Sequence, residues 1–524
     1  MTTEHWEQPL ADRLRPFEPA LVVTTGAPLP APLAAAAADG AARATGRPAV
    51  VLAGSGAELN AMLPALAVAD ADSVPLIVLV RAGTAADLEA GRERPGALPD
   101  ALRLTEPVTG WNTRVDRPED LDLVLEAAFT DLARRRPRPL LIELAAEAVP
   151  RLRLVEREGA AGNRVIPFPG DGLEPGAPST GRGADPVDRR WIDQVAAALV
   201  RGRQPAIVAG GGAAEAAGSL RQLAEALGTP VFLTLAGRGL LPAHHPLVVE
   251  DLAAAPARRF LEEADVLLVV GTTLSPAEHG DLNVKGRVVH IDRDVERLGR
   301  NVPVWLALPG DAGPVLAALV RRVEAEQARP GGPEMYLGAT GPDQRRRAVA
   351  RLKDDLAAAP PAVASATAAW LRELDPRLTA AEPGAVSVAE ATLLPVPGPR
   401  SLLVPVRLGQ PGYAIPAAWG AVRATGRPAR AITSAAGLWA AAAVLPWLST
   451  LAADLEVLVR LDGDGDEAAR EAFAEAGWAG AGRSAEGAVV AEFFRRAVPA
   501  LALEWDEPAP GRGVPFARLR PALA

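Results

Sequence analysis

The turn at 460–466, RLDGDGD, holds three carboxylates within five residues, at Asp462, Asp464 and Asp466. Mg²⁺ and Ca²⁺ prefer oxygen ligands, so a turn of this composition can hold a divalent cation. The alternative is an acidic turn that contacts only solvent, and the sequence favours that interpretation.

Other residues that commonly do chemistry are scarce. The chain contains no cysteine, which excludes disulfides, thiolate nucleophiles and cysteine-based metal sites. Its five histidines show no spacing typical of a histidine-ligated metal. The adjacent pair His244 and His245 precedes Pro246, which predicts a surface turn. The sequence therefore gives little support for a metal site that uses sulfur or imidazole ligands.

Length and charge limit the class of protein. A chain of 524 residues is too long for one hydrophobic core, so two to four domains are expected. The net charge of −9, with no long basic run, argues against nucleic acid or an anionic membrane as the main partner. The first 18 residues are polar and acidic, unlike a signal peptide, and no apolar stretch is typical of a membrane span. We expect a cytoplasmic protein.

The heptapeptide RATGRPA occurs twice, at 43–49 and at 423–429. The surrounding segments 41–83 and 421–463 align over 43 residues without a gap. Each predicts the end of a small-residue helix, a Gly-Arg-Pro turn, a strand, a helix and a second strand, which is a βαβ unit of a parallel sheet. Compositional bias could produce seven matching letters, but it does not explain the longer pattern. Two related α/β domains are predicted, one near each end of the chain.

A third unit lies between them. Four apolar stretches, at 205–212, 229–239, 264–272 and 286–294, alternate with helical patterns and end in glycine or aspartate. This predicts a doubly wound sheet with loops at the carboxyl ends of its strands. Gly/Pro-rich segments flank the unit and predict linkers at 156–188 and 326–360. The predicted domains are 1–155, 189–325 and 361–524, all of the α/β class with doubly wound parallel sheets.

Several segments resemble thiamine-diphosphate-dependent enzymes of the acetolactate synthase type. The similarity is carried by AADGAARATGRPAVVL at 37–52, GTPVFLTLAGRGLLPAHHPL at 228–247 and PGYAIPAAWGAVRATGRP at 411–428. It extends over most of the chain. The resemblance implies a first domain that binds the pyrimidine end of the cofactor, a central domain, and a third domain that binds the diphosphate through Mg²⁺. It also implies active sites between subunits, and thus a homodimer or homotetramer.

The resemblance assigns positions to the functional residues. The glutamate that bonds the aminopyrimidine would fall at Ala31, or at 24–26 with a small gap, yet no acid occurs between residues 19 and 38. The metal-binding aspartate would fall at Ser434, in TSAAG, and the next metal ligand at Asp462. The resemblance places cofactor contacts at Ser55, Gly56, Asn60, Gly412, Tyr413, Ser434 and Ala435.

The central unit contains glycine-rich loops at which a second cofactor could bind. Some relatives bind flavin or an adenine nucleotide there, and the resemblance would place contacts at Gly210–Gly212, Gly237–Gly239, Gly271 and Asp292. A glycine-rich turn after a strand can admit a phosphate, although such glycines also serve simply as tight turns. The charged stretch expected after Gly271 in flavin-binding relatives is replaced by TTLSPAEHGD. FAD is therefore not expected.

These observations support three hypotheses. The first is a divergent acetolactate synthase-like protein whose thiamine diphosphate and Mg²⁺ site is degraded, so that it is non-catalytic in thiamine chemistry. The second is an active decarboxylase or carboligase for a small 2-oxo acid, with an unconventional metal site at Ser434 and Asp462. The third is a hetero-oligomer in which an intact homologue completes the site. The loss of the glutamate and of the metal aspartate together favours the first.

Overall fold

The computed structural model describes residues 7–26, 29–92, 95–149, 188–329, 340–360, 362–441, 455–460, 501–505 and 516–521. The chain divides into two compact units. The first is Met1–Ala184 with Arg423–Thr425, and the second is Asp185–Val422 with Gly426–Ala524. The predicted linker at 156–188 lies outside the described residues except for its last position.

The first unit is built on a five-stranded sheet in which every described pair is parallel, in the order β1-β2-β3-β5-β4. Its strands are β1 (Val22–Thr24), β2 (Ala49–Ala53), β3 (Leu76–Arg81), β4 (Trp111–Val115) and β5 (Leu140–Leu144). Its helices are α1 (Glu7–Leu14), α2 (Ala31–Thr45), α3 (Gly56–Asp72), α4 (Ala85–Glu89), α5 (Ala101–Thr105) and α6 (Leu121–Arg134).

The predicted βαβ unit is present here as β2, α3 and β3. The strand β2 is a continuous apolar run, β5 is apolar except for Glu143, and both are buried along their whole length, as expected for a parallel sheet covered on both faces. Helix α2 ends at Gly46, whose φ of 73° is the left-handed conformation that favours glycine. Arg43 of the heptapeptide joins α2 to α3 through ion pairs with Asp39 at 2.6 Å and Asp72 at 3.0 Å.

The second unit contains a six-stranded, all-parallel sheet in the order β11-β10-β9-β6-β7-β8. Its strands are β6 (Pro205–Ala209), β7 (Val231–Leu233), β8 (Val248–Val249), β9 (Val266–Val270), β10 (Arg287–Asp292) and β11 (Leu306–Pro309). Its helices are α7 (Arg189–Arg201), α8 (Ala217–Leu227), α9 (Ala255–Glu262), α10 (Pro276–His279), α11 (Ala312–Gln327) and α12 (Pro342–Ala358).

Both faces of this sheet are packed. Along β6, Ile207 faces one hydrophobic cluster and its neighbour Val208 faces the other, because side chains alternate across a strand. Burying each large aliphatic side chain contributes about 1.5–3 kcal/mol. The four strands predicted from the sequence correspond to β6, β7, β9 and β10. The edge strands β8 and β11 have only two and four residues, too few to give a sequence pattern.

A second six-stranded sheet of the same unit has the order β13-β12-β14-β15-β17-β16. Its strands are β12 (Leu378–Ala381), β13 (Leu402–Leu403), β14 (Ala429–Ser434), β15 (Leu455–Arg460), β16 (Leu501–Trp505) and β17 (Phe516–Pro521). The associated helices are α13 (Ser365–Glu373), α14 (Val388–Ala391), α15 (Ala414–Thr425) and α16 (Ala435–Ala440).

The α/β class and the repeat are confirmed by this sheet. Strands β14 and β15 pair in parallel, as β2 and β3 do, and Gly426 ends α15 with a φ of 66°, as Gly46 ends α2. The sheet differs from the prediction at one edge, where β17 runs antiparallel to β15 and to β16. The repeat ends at residue 463, so it carries no information about that edge.

The three predicted domain ranges stay predictions, and each sheet lies inside one of them. Among the helices that the structure describes, none combines the length and the apolar character needed to cross a membrane.

Candidate functional site

The carboxyl ends of β12 and β14 bring a glutamate against the predicted metal position. These two strands are neighbours in parallel register, with Ala381 opposite Ile432. Glu382 directly follows β12, and Ser434 is the last residue of β14. Ligands of doubly wound sheets bind outside the carboxyl ends of the strands, so this edge is the expected place for a functional site.

Four hydrogen-bond donors surround the Glu382 carboxylate. Oε1 accepts from the Thr433 hydroxyl at 2.8 Å, the Ser434 backbone N–H at 2.9 Å and the Ser434 hydroxyl at 3.0 Å. Oε2 accepts from the Gly412 backbone N–H at 3.0 Å. The side chain is almost fully enclosed, since Glu382 is 1% exposed. Both carboxylate oxygens are therefore held in a closed cluster of neutral donors, which we call the Glu382 niche.

Glycines make room for this niche. A Cβ atom at Gly437 would lie inside van der Waals contact with Glu382 Oε1 and 2.5 Å from the Thr433 hydroxyl oxygen. Gly412 has a φ of 77°, a left-handed conformation that favours glycine, and its N–H points to the carboxylate. The niche thus depends on glycine at both positions.

The protonation of Glu382 reflects two opposing effects. Burial is the larger and raises the pKa of the carboxyl group above its ordinary value, because removal from water disfavours the charged form. Hydrogen bonds from Ser434, Thr433 and Gly412 lower the pKa, because they stabilise the negative charge.

The structure describes local contacts for the predicted third-domain residues, and their roles toward a cofactor stay predictions. The Ser434 hydroxyl donates to Glu382 and accepts from the Gly437 N–H at 3.0 Å, which caps α16. Ala435 begins α16, and Tyr413 is 1% exposed at the beginning of α15. Asp462 lies outside the described residues, so its metal role stays a prediction. Within the described ranges no three His, Asp or Glu residues are grouped so as to hold a metal ion.

In the first unit, the position assigned to the glutamate begins a helix. Ala31 is the first residue of α2 and is 5% exposed. A carboxylate nevertheless reaches the neighbouring loop, because Glu58 in the first turn of α3 accepts a hydrogen bond from the Thr25 hydroxyl. The same oxygen accepts from the Gly54 N–H at 2.6 Å. The resemblance places the family glutamate at Ala31 or at 24–26, where the sequence has no acid, and the structure brings Glu58 to that loop from 33 residues further along the chain than Thr25.

The pattern Ser55-x-x-Glu58 was a usable signal for this acid. Ser55 is the N-cap of α3, and its hydroxyl accepts from the Glu58 N–H at 3.3 Å. Such a pattern ordinarily indicates a capping box, in which the glutamate bonds the N-cap backbone. Here the carboxylate bonds Gly54 and Thr25 instead. Of the other predicted residues, Gly56 packs closely, with a Cβ position 2.7 Å from Leu98 N, and Asn60 is exposed.

Close packing accounts for most of the central glycines. A Cβ at Gly210 would lie 2.6 Å from Thr272 Cβ, and one at Gly212 would lie 2.8 Å from Gly271 Cα. Gly237 and Gly239 similarly face backbone atoms of Ala209 and Gly398. The Asp292 carboxylate accepts from the Asp294 N–H at 2.8 Å. These loops require glycine for their own contacts, with or without a nucleotide.

Two buried histidines lie near these loops. His290 Nε2 donates to the Thr272 carbonyl at 2.9 Å and Nδ1 accepts from the Gly299 N–H at 3.2 Å, so both ring nitrogens are used by the neutral ring. Burial lowers the pKa values of His290 and His279. In the predicted surface turn, His244 is exposed, whereas His245 is buried and bonds Glu225 at 3.1 Å.

Comparison with known proteins gives two family matches. Residues 192–319 match the family described as thiamine pyrophosphate enzyme, central domain. Residues 32–102 match the thiamine pyrophosphate enzyme N-terminal TPP binding domain. The first range contains all six strands from β6 to β11, and the second contains β2, α3, β3 and α4.

Curated relatives agree with these matches. The chain is 30% identical to the probable 2-ketoarginine decarboxylase AruI of Pseudomonas aeruginosa over 396 residues, 73% of this chain and 65% of the relative. It is 29% identical to the probable acetolactate synthase large subunit of Methanocaldococcus jannaschii, over 74% of this chain and 65% of the relative. It is 28% identical to the acetolactate synthase isozyme 1 large subunit of Escherichia coli, over 55% and 49%. The chain thus spans less than two thirds of each relative.

Proposed function

We propose that this chain, which belongs to the thiamine pyrophosphate enzyme family, performs no thiamine chemistry of its own. Its relatives include acetolactate synthase large subunits and a decarboxylase. It would keep the fold of the family as a non-catalytic homologue. The observation that carries the proposal is the Glu382 niche, in which a carboxylate of the chain bonds the residue that stands at the metal position.

The family implies thiamine diphosphate and, in general, Mg²⁺. When bound, the cofactor supplies the group that accepts electrons as a 2-oxo acid is decarboxylated. Its diphosphate needs donors and a cation at the third domain. The residues that the structure describes there do not fit this group, because Ser434 offers a hydroxyl already engaged twice and Glu382 adds negative charge.

The size of the repulsion between Glu382 and a diphosphate can be estimated from Coulomb's law. If Glu382 is ionised, a diphosphate in contact with it would be repelled: two unit negative charges about 4 Å apart repel by about 4 kcal/mol at the effective dielectric of a protein surface, which corresponds to roughly a thousandfold loss of affinity. A Mg²⁺ ion could offset the repulsion, but it would need carboxylate ligands of its own. Most of the acceptor capacity of Glu382 is already used, because Oε1 accepts hydrogen bonds from Thr433 and Ser434 and Oε2 accepts one from Gly412.

A second candidate function has support in the first unit. The Glu58 carboxylate contacts Thr25, within the loop where the resemblance allows the pyrimidine-binding glutamate. A first unit that presents a carboxylate there could complete a site with the third domain of an intact homologue. Relatives are named as large subunits, so we propose an oligomer, either a homodimer or homotetramer or a hetero-oligomer with such a homologue.

A turnover assay tests the first proposal. Purified protein, shown to be folded by circular dichroism, is incubated with thiamine diphosphate, Mg²⁺ and a panel of 2-oxo acids that includes pyruvate and 2-ketoarginine. We expect no release of CO₂ above the rate without protein. Release that requires thiamine diphosphate and is abolished by Asp462→Ala would instead support an active decarboxylase or carboligase with an unconventional site.

A further inference from the structure

We infer that the Glu382 niche is an oxyanion-binding site that the chain fills with its own side chain, in place of a separate carboxylate or phosphate. The inference rests on the proposed function, because it explains how a site for an anionic ligand was closed. It adds the chemical class of the ligand that the niche accepts and the residue that excludes it.

The donors converge from separate parts of the chain. The Gly412 N–H comes from the loop before α15, and the N–H of Ser434 and the hydroxyls of Thr433 and Ser434 come from the end of β14. Two of the four donors are backbone groups whose direction is set by the fold. Such convergence on one carboxylate is the arrangement that binds carboxylates and phosphates in general.

Neutral donors alone hold the carboxylate. Within the part of the chain that the structure describes, Glu382 forms no ion pair with Lys or Arg. The niche therefore does not depend on matching one particular cation, and any small oxyanion that presents two oxygens can satisfy the same donors. Chloride presents a single acceptor atom in place of two oxygens, so it serves as the comparison anion.

The carboxylate of Glu382 fills the space in the niche. Because a Cβ at Gly437 would collide with Oε1, the glycine leaves room for an oxygen atom at this point. Truncation of Glu382 to alanine would remove that oxygen and leave four donors around an enclosed volume. Buried donors without acceptors are costly, so the truncated protein should take up a small oxyanion from solution.

The test compares thermal unfolding of Glu382→Ala and wild-type protein in sodium acetate, inorganic phosphate and sodium chloride at equal ionic strength. We expect the melting temperature of Glu382→Ala to be lower than that of wild type in chloride and to rise with the concentration of acetate or phosphate. A ligand that binds only the folded state stabilises it in this concentration-dependent way. Phosphate stabilises folded proteins in general, so the wild type is measured in the same series, and the rise should be larger for Glu382→Ala than for the wild type.

Two variants serve as matched controls. Glu382→Gln keeps the volume filled and should show no specific response to acetate. Glu143→Ala removes another buried glutamate, 6% exposed, for which no hydrogen-bond donor is described, and it too should show no specific response. A response to acetate but not phosphate would assign the niche to carboxylates, and the reverse to phosphates.

Identical responses of Glu382→Ala and wild type would overturn the inference. If Glu382→Ala does not fold in chloride, its refolding yield is measured in acetate and in phosphate, and no recovery in either also overturns it. The proposed function fails by a different result, namely binding of thiamine diphosphate to the wild-type protein. The inference is thus tested on the Glu382→Ala variant, and the proposed function is tested on the wild-type protein.

Discussion

The carboxylate of Glu382 lies 2.9 Å from the backbone nitrogen of Ser434, the residue that stands where the family resemblance places a metal-binding aspartate. The negative charge of this edge therefore comes from the neighbouring strand rather than from the turn after β14. The Glu382 carboxylate accepts hydrogen bonds from Thr433, Ser434 and Gly412, and it is almost completely shielded from solvent. The proposal of a closed site rests on this relationship.

Substitution of Gly437 tests the packing of the niche. We expect Gly437→Ala to lower the free energy of unfolding by about 1–3 kcal/mol, the usual cost of overpacking, because the new methyl group collides with Glu382. Urea unfolding measures the change. Gly218→Ala in α8 is the control, since nothing lies within 4 Å of its Cβ position, and it should not destabilise the protein.

A double variant separates this collision from a general effect of alanine in α16. In a Glu382→Ala background the methyl group meets no carboxylate but still lies 2.5 Å from the Thr433 hydroxyl oxygen, so the additional cost of Gly437→Ala should be smaller than in the wild type without disappearing. An undiminished cost would show that the carboxylate does not occupy the space beside Gly437.

His290 should make stability depend on pH. The folded ring uses Nδ1 as an acceptor from Gly299, so protonation would place a second hydrogen against that N–H. The folded pKa is lowered by burial, whereas the unfolded value is about 6.5. Below that pH the unfolded state binds the proton first, so stability should fall as the pH decreases, by up to about 1.4 kcal/mol per pH unit for one proton.

Urea unfolding between pH 7.5 and pH 5 measures this dependence. His290→Gln is neutral at every pH, so it should show a shallower decrease in stability than the wild type over that range. His279 titrates in the same direction and is present in both proteins, so the difference between them reports His290. Equal slopes would contradict the assignment of a neutral ring.

Arg345 should be important for the central sheet of the second unit. Its buried guanidinium donates to the carbonyls of Val200 at 2.8 Å, Gly202 at 2.6 Å and Leu227 at 3.2 Å, at the ends of α7 and α8. Burial lowers the pKa of Arg345 to about 10. We expect Arg345→Ala to cost about 2–4 kcal/mol in urea unfolding, because it leaves carbonyls without donors and opens a cavity.

Arg347→Ala is the matched control for this effect. Arg347 lies on the same helix but is exposed, and substitutions of that kind usually change stability by less than about 0.5 kcal/mol. Equal effects of the two substitutions would show that the hydrogen bonds of Arg345 contribute little to stability.

Much of the fold followed from local sequence patterns. The repeated heptapeptide located equivalent turns at Gly46 and Gly426, and apolar runs located the strands on either side. The short edge strands β8, β11 and β13 were not predicted, because two to four residues have no measurable periodicity. The antiparallel edge formed by β16 and β17 lies beyond the repeat.

The site was less predictable because its contacts join distant residues. The sequence showed that Ser434 cannot replace a carboxylate, but it did not show that Glu382, 52 residues earlier, bonds it across a strand pair. An acid directly after the apolar run 378–381 was the available signal, since ligand sites lie at the carboxyl ends of such strands. Glu58 was missed for the same reason, as its partner Thr25 lies 33 residues away.

Calorimetric titration of thiamine diphosphate with Mg²⁺ into the purified wild-type protein tests the central claim most directly. We expect no heat beyond dilution at cofactor concentrations up to about 1 mM, because Glu382 occupies the donors and, among the residues that the structure describes, no carboxylate replaces the metal aspartate. Stoichiometric binding with a Kd in the micromolar range would contradict the claim. In that case the metal would have to be held by residues such as Asp462, outside the part of the chain described above.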